Sequence, residues 1–143
     1  MISGVDTTFL VEVEVVESPR HAPARKFLED SILGRENTLA LAPQVLSEFV
    51  HVVTDNRRFA RPLGIEEALA RAELWWRAKE VKQVFPGPEA ADLFLEWMRH
   101  FRIGRKRLLD TQLAATYWAA GIKTIVSSNV RDFAVFGFDV VTP

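Results

Sequence analysis

The sequence predicts an α/β protein built on a parallel sheet. Short runs rich in valine, isoleucine, leucine and threonine alternate with longer stretches whose apolar residues recur at three- and four-residue spacing. That is the pattern of strands alternating with amphipathic helices. Of 143 residues, 48% are apolar and 26% charged, a mix too apolar for a disordered chain, and Gly and Pro number only 7 each. There is no cysteine, which excludes disulfide staples, thiolate metal sites and a thiol nucleophile. No apolar run approaches the ~20 residues of a membrane span, and no basic segment precedes a hydrophobic one at the start. The expectation is a single domain over residues 1–143, in the cytosol.

The elements follow in order. Met1 to Asp6 is mostly apolar and ends in an acid, as a buried strand reaching the edge of a sheet would. Val11, Val13 and Val15 alternate with Glu12 and Glu14, a strand period, although Phe9, Leu10 and Val13 also share a helical face. Ser18-Pro19 has the form of a cap followed by a first-turn proline, opening a helix striped by Ala24, Phe27, Leu28, Ser31 and Ile32. Thr38 to Ala42 is a strand, and Pro43 opens a helix with Val45, Leu46, Phe49, Val50 and Val53 on its apolar side. Beyond a basic loop, Ile65, Ala68, Leu69, Ala72, Trp75 and Trp76 mark another helix, with Glu66 and Glu67 at its start and Arg77 near its end, as the helix dipole favours.

Val81 to Phe85 reads as a strand closed by Pro86-Gly87-Pro88. A helix runs from about Glu89 to Phe101 with Ala90, Phe94, Trp97 and Phe101 aligned. Asp110 to Ala120 is helical, and Gly121 stops it where a left-handed residue is wanted. Lys123 to Ser127 is a strand and Val140-Val141 a weak last one. Trp75, Trp76 and Trp97 are read as core, with a subunit contact as the other role open to them.

Eighteen Lys+Arg against 19 Asp+Glu give a formal charge of −1, but the charges are not evenly spread. Arg99, His100, Arg102, Arg105, Lys106 and Arg107 form a run without an acid, and Arg57, Arg58 and Arg61 form a second knot. Either is a solvated loop or a local phosphate-binding patch, since screening isolates a patch from charges beyond ~8 Å.

In open parallel sheets, ligands bind outside the carboxyl ends of the strands. Asp6 ends the first strand, and Ser127, Ser128 and Asn129 end the Lys123 strand, with Asp132 just beyond. Glu48 lies early in the helix after the Thr38 strand, at the border of its apolar stripe. Asp110 shares the core-facing stripe of Leu113, Ala114, Tyr117 and Trp118. Each acid has an ordinary alternative: Asp110 or Asp6 as a helix cap, Glu48 as a solvated helix residue, Asp132 as a loop acid. Together, four carboxylates at one rim, without cysteine and without ligand spacing at His21, His51 or His100, suit a hard cation such as Mg²⁺ or Mn²⁺ rather than zinc. No glycine-rich phosphate loop, nucleophile elbow or Asp-x-Asp start is present, since Thr8 holds the third position after Asp6.

Four blocks carry a resemblance. Gly4-Val5-Asp6-Thr7-Thr8-Phe9-Leu10, Pro43-Gln44-Val45-Leu46-Ser47-Glu48-Phe49, Leu108-Leu109-Asp110-Thr111-Gln112-Leu113-Ala114-Ala115, and Ser127-Ser128-Asn129-Val130-Arg131-Asp132-Phe133 resemble, in order and spacing, the PIN-domain ribonucleases. The chain length is most similar to the VapC toxins of bacterial toxin–antitoxin pairs. The resemblance implies a three-layer α/β/α fold on a mainly parallel five-stranded sheet, with a short helix after Asp6 in place of the strand-like Val11 to Val15. It implies a Mg²⁺- or Mn²⁺-dependent endoribonuclease for structured RNA such as tRNA or rRNA, a homodimer, and a VapB-type antitoxin that blocks the site.

Carried over, Asp6, Glu48, Asp110 and Asp132 are the catalytic and metal-binding acids, with Asp6 and Asp110 as direct ligands. Ser128 and Asn129 stand behind them. Some relatives have an acid where this sequence has Asn129, so Asp132 and Asn129 are both candidates to complete the set. Arg105, Lys106 and Arg107, just before Asp110, are the expected RNA-binding residues. A non-cleaving binding module on the same scaffold and a DNA nuclease are the alternatives.

Overall fold

The computed structural model, which describes residues 1–143, puts the first strand at the centre of the sheet. The strands are β1 (Ile2–Val5), β2 (Thr38–Leu41), β3 (Val81–Gln83), β4 (Thr124–Val126) and β5 (Asp139–Val141), all parallel, in the order β3-β2-β1-β4-β5. The expected five-stranded α/β/α arrangement is what forms. Helices α1 (Thr7–Glu14), α2 (His21–Phe27), α3 (Pro43–Val53) and α4 (Ile65–Arg77) pack against one another, and α5 (Pro88–His100), α6 (Leu108–Ala119) and α7 (Val130–Ala134) form a second group. Right-handed crossovers explain the division: β1 to β2 to β3 advances one way across the sheet, whereas β3 to β4 to β5 returns the other way, on the opposite face.

Register then fixes the level at which each strand ends. Gly4 lies beside Ala40 and Ile125, Val5 beside Val126, and Val126 beside Val141. Asp6, Ala42 and Ser127 therefore emerge at one edge. Beneath them, Tyr117 of α6 is fully buried and bridges two strands: its hydroxyl donates to the Val5 carbonyl (2.7 Å) and accepts from the Ala42 N–H (3.3 Å). Gly4 is required here, because a Cβ at that position would come within 2.6 Å of the Tyr117 ring.

Several boundaries differ from the sequence expectation. Val11 to Val13 are helical, as the resemblance implied and the local alternation did not, and α1 buries Phe9, Leu10, Val11, Glu12 and Val13 together. Their alternation was not that of a one-sided strand, because α1 is enclosed on nearly every side. The second helix begins at His21, not Pro19: the Ser18 carbonyl accepts from the His21 N–H (3.0 Å), so Ser18-Pro19 forms the turn before it. That helix continues as a π-helical segment, Leu28–Leu33. Strand β3 is shorter than expected, although the Val84 N–H still reaches the Leu41 carbonyl (3.0 Å). In α4 only Ala68, Ala72 and Trp75 are buried, while Ile65 and Leu69 of the same stripe stay exposed. Gly121 does end α6, at φ +82°. Trp75 and Trp97 lie in the core; Trp76 is half-buried, edge-on to the exposed Phe85. No helix is long and apolar enough to cross a membrane.

Candidate active site

Strand order reverses between β1 and β4, the place where open α/β sheets form a crevice. A hollow of about 570 Å³ opens there, lined by Asp6, Thr7, Thr8, Glu12, Glu48, Asp110, Ser128 and Asn129, with Arg20, Arg58 and Phe59 at its sides. An apolar hollow of about 180 Å³ elsewhere, around Leu28, Ile32, Leu74 and Trp75, offers no comparable set of oxygen donors.

Asp6 follows β1 directly and holds the N-cap position of α1 without a side-chain capping bond. Instead its Oδ2 accepts from Thr8 Oγ1 (2.8 Å) and Ser127 Oγ (2.7 Å). The Ser127 hydroxyl also accepts from the Asn129 N–H (2.9 Å), which orients it. Only 3% of Asp6 is exposed. Burial pushes its carboxyl above the usual carboxylate range, against the pull of the Ser127 and Thr8 hydroxyls.

Asp110 is the third residue of α6, whose cap position is Arg107. It is therefore not the helix cap that its residue type allowed; it sits inside the first turn and lines the hollow. Burial, then the charges of Asp6, Asp132 and Glu48, raise its carboxyl to about 6. Glu48, in the second turn of α3, is likewise raised by burial, with the Asp6 charge adding to it and Arg58 drawing it down. The Thr7 hydroxyl beside these acids is buried, and it too draws the Glu48 carboxyl down.

Asp132 is placed differently. It belongs to the short helix α7 rather than to a loop, and Arg107 holds it twice: Nη2 donates to its carbonyl (2.7 Å) and Nε faces its carboxylate (3.3 Å). Its charge is felt by Asp6 and Asp110, but its side chain does not line the hollow. Of the expected RNA-binding residues, Arg105 and Lys106 are exposed on a 3-10 turn, Arg105–Arg107, and Arg107 is engaged with Asp132. Ser128 and Asn129 lie at the rim as expected.

Sequence reasoning missed Glu12. It is 7% exposed, and its Oε1 accepts from Ser128 Oγ (2.8 Å) while Oε2 lies 3.5 Å from Arg20 Nε. The available signal was its position one helical turn after Thr8, on a helix whose one other acid is its last residue, Glu14.

As they stand, no three of these carboxylates converge tightly enough to grip one ion. Their chemistry nevertheless fits a divalent cation. Asp6, Glu48 and Asp110 share one hollow, all three are forced above their ordinary range, and no lysine or arginine makes an ion pair with any of them. Such a set of hard oxygen donors with uncompensated charge is what Mg²⁺ or Mn²⁺ requires.

Comparison with known proteins agrees with this arrangement. The PIN domain family matches residues 5–138. Ribonuclease VapC24 of Mycobacterium tuberculosis is 27% identical over 138 residues, covering 96% of this chain and 93% of that protein. Among solved structures, the sarcin-ricin loop cleaving toxin VapC20 of M. tuberculosis superposes with a TM-score of 0.76 at 21% identity over the full length of both chains. VapBC2 from Rickettsia felis, bound to a DNA fragment from its promoter, gives 0.70 at 16% identity, covering 99% of this chain and 98% of that one.

Proposed function

This chain belongs to the PIN-domain family, and on that premise we propose that it is a metal-dependent endoribonuclease of the VapC toxin type. Its substrate is structured RNA of the tRNA or rRNA class, and a VapB-type antitoxin holds it in check. The observation that carries this reading is the meeting of Asp6, Glu48 and Asp110, from three distant parts of the chain, in one hollow at the switch point of the sheet. Similarity to a protein named a ribonuclease and to a toxin that cuts the sarcin-ricin loop supports the RNA substrate. Similarity to VapBC assemblies supports the antitoxin. A homodimer and a cytoplasmic location belong to the same reading.

Asp6 and Asp110 would be the direct ligands of Mg²⁺ or Mn²⁺, with Glu48 completing the set directly or through water and Asp132, held by Arg107 outside the hollow, acting only through water. When bound, such an ion supplies Lewis acidity, making water easier to deprotonate and offsetting charge on the scissile phosphate. The chain's own groups do the rest. Ser127 and Thr8 both donate to one oxygen of Asp6, fixing its carboxyl at the wall of the hollow. Glu48, half-buried and raised above its usual range, is the carboxylate suited to take the proton of the attacking water. Ser128 and Asn129 border the site, with Ser128 tied back to Glu12. Arg105 and Lys106 are available to the RNA backbone on the adjacent turn.

The grip of Arg107 on Asp132 favours the second reading, a module that binds RNA without cutting it. Purified protein incubated with bulk tRNA and rRNA, in EDTA and across a Mn²⁺ and Mg²⁺ titration, separates the two. Cleavage that needs the ion and disappears in Asp110→Asn supports the nuclease; binding without cleavage at any ion concentration supports the module.

A further inference from the structure

The basic knot Arg57, Arg58 and Arg61 plays no part in the reading above, yet the structure brings it to the hollow. It lies between α3 and α4, and nearly every backbone donor in it is engaged. The Arg57 N–H donates to the Asp55 carboxylate (2.8 Å), and the Arg58 and Phe59 N–H groups donate to the Asp55 carbonyl (3.2 Å each). The Ala60 and Arg61 N–H groups donate to the two oxygens of Glu17, each at 2.9 Å. Pro62 has no N–H, and the Leu63 N–H reaches the Val53 carbonyl (2.9 Å). Phe59 and Leu63 pack on the core from beneath.

The backbone is thus fixed while the side chains are free. Arg57, Arg58 and Arg61 are exposed, Arg57 and Arg61 make no ion pair, and Arg58 has only Asp55 at 4.0 Å. Arg58 and Phe59 border the same hollow as Asp6, Glu48 and Asp110, and the Arg58 charge reaches Glu48. Arg20 also borders it, but its guanidinium is shared between Glu12 and the Pro143 carbonyl. Arg105 and Lys106 do not line it. Free guanidinium groups on a rigid loop beside a carboxylate-lined hollow suit a ligand with regularly spaced negative charges, one of which is to be delivered into that hollow.

Resting on the ribonuclease reading, we propose that the loop pinned by Glu17 is the RNA-backbone grip of the site. Arg58 takes a phosphate next to the one to be cut, and Arg57 and Arg61 carry the track outward. Glu17 enters as a positioning residue, because it holds the arginines where the phosphates pass.

The test is binding of fluorescently labelled bulk tRNA to the Asp110→Asn protein in EDTA, measured across a salt series. In that background Arg58→Ala should weaken binding several-fold and reduce the slope of log K against log salt by about 0.7–0.9, the contribution of one phosphate contact. Arg105→Ala should change both less. Glu17→Ala gives the sharper result: loss of a negative charge should by electrostatics alone tighten binding to a polyanion, whereas loss of the pin should weaken it. Weaker binding by a variant that melts as a folded protein supports the proposal; unchanged or tighter binding overturns the role of Glu17. If Glu17→Ala does not fold, Glu17→Gln, which keeps one acceptor, decides in the same sense. An unchanged affinity and salt slope in Arg58→Ala overturns the grip itself, and failure of the Asp110→Asn parent to bind RNA removes the ribonuclease reading beneath it.

Discussion

Val5 and Asp6 are neighbours in the chain, yet they belong to levels of the molecule with opposite economies of charge. At the level of Val5, every polar group is answered: Tyr117 bridges the Val5 carbonyl and the Ala42 N–H, and Gly4 makes room for its ring. One residue higher, Asp6, Glu48 and Asp110 share one hollow with raised carboxyls, and no lysine or arginine makes an ion pair with any of them. The lower level stabilises the fold, since each buried hydrogen bond is satisfied. The upper level works against it, because burial and mutual repulsion hold its carboxyls above their ordinary range. Substitutions on the two sides of one peptide bond should therefore have effects of opposite kind.

The widest separation is expected from Asp6→Asn. Cleavage should fall more than about a hundredfold, beyond what loss of a residue behind a metal ligand produces, while melting in EDTA stays level or rises. A marked fall in melting temperature would make Asp6 a structural residue and erase the contrast. Gly4→Ala should do the reverse, lowering stability by about 1–3 kcal/mol because the new Cβ displaces the Tyr117 ring. Urea denaturation measures it, and unchanged stability would mean that the packing there is loose. Tyr117→Phe keeps the ring and strands the Ala42 N–H, so a loss of about 1–2 kcal/mol is expected, with cleavage by the folded protein retained.

The smallest effect is on pH. Asp110 is raised in the folded state from 3.8 to about 6, so the folded protein holds a proton that the unfolded chain releases. Stability of the metal-free protein should accordingly fall as pH rises from about 4 to about 6. Melts in EDTA should be higher at pH 5 than at pH 7, and Asp110→Asn should flatten that difference. Mn²⁺ at pH 7 should restore the lost stability; no response to the ion would count against the upper level as a cation site.

Much of the fold was legible because its signals are local. Proline opened α3 and glycine closed α6 where sequence reasoning put them, and the apolar runs marked five strands. Local pattern failed at α1, where helix and strand periods coincide and only enclosure by other elements decides between them. The same ambiguity hid Glu12, whose burial depends on Ser128, a residue 116 positions later. Asp6, Glu48 and Asp110 could be placed at one edge from the strands and helices they flank. The orientation of Asp132 could not, because it depends on Arg107, for which sequence composition suggested a different partner. The arginines at 57, 58 and 61 and those at 105 and 107 look alike in sequence; a carboxylate at position 17 and another at position 132 make them different.

The central position of β1 also bears on timing. Its neighbour β4 and the strand beyond, residues 124–141, are synthesised only after everything between residues 6 and 123. At the ~5–20 residues per second of translation, the span between Asp6 and Ser127 keeps this half of the pocket open for several seconds. A nascent chain that stops short of Ser127 has no hydroxyl from that residue to orient Asp6 and no β4 beside β1, so the pocket around Asp6 takes its final form only once that strand has been made.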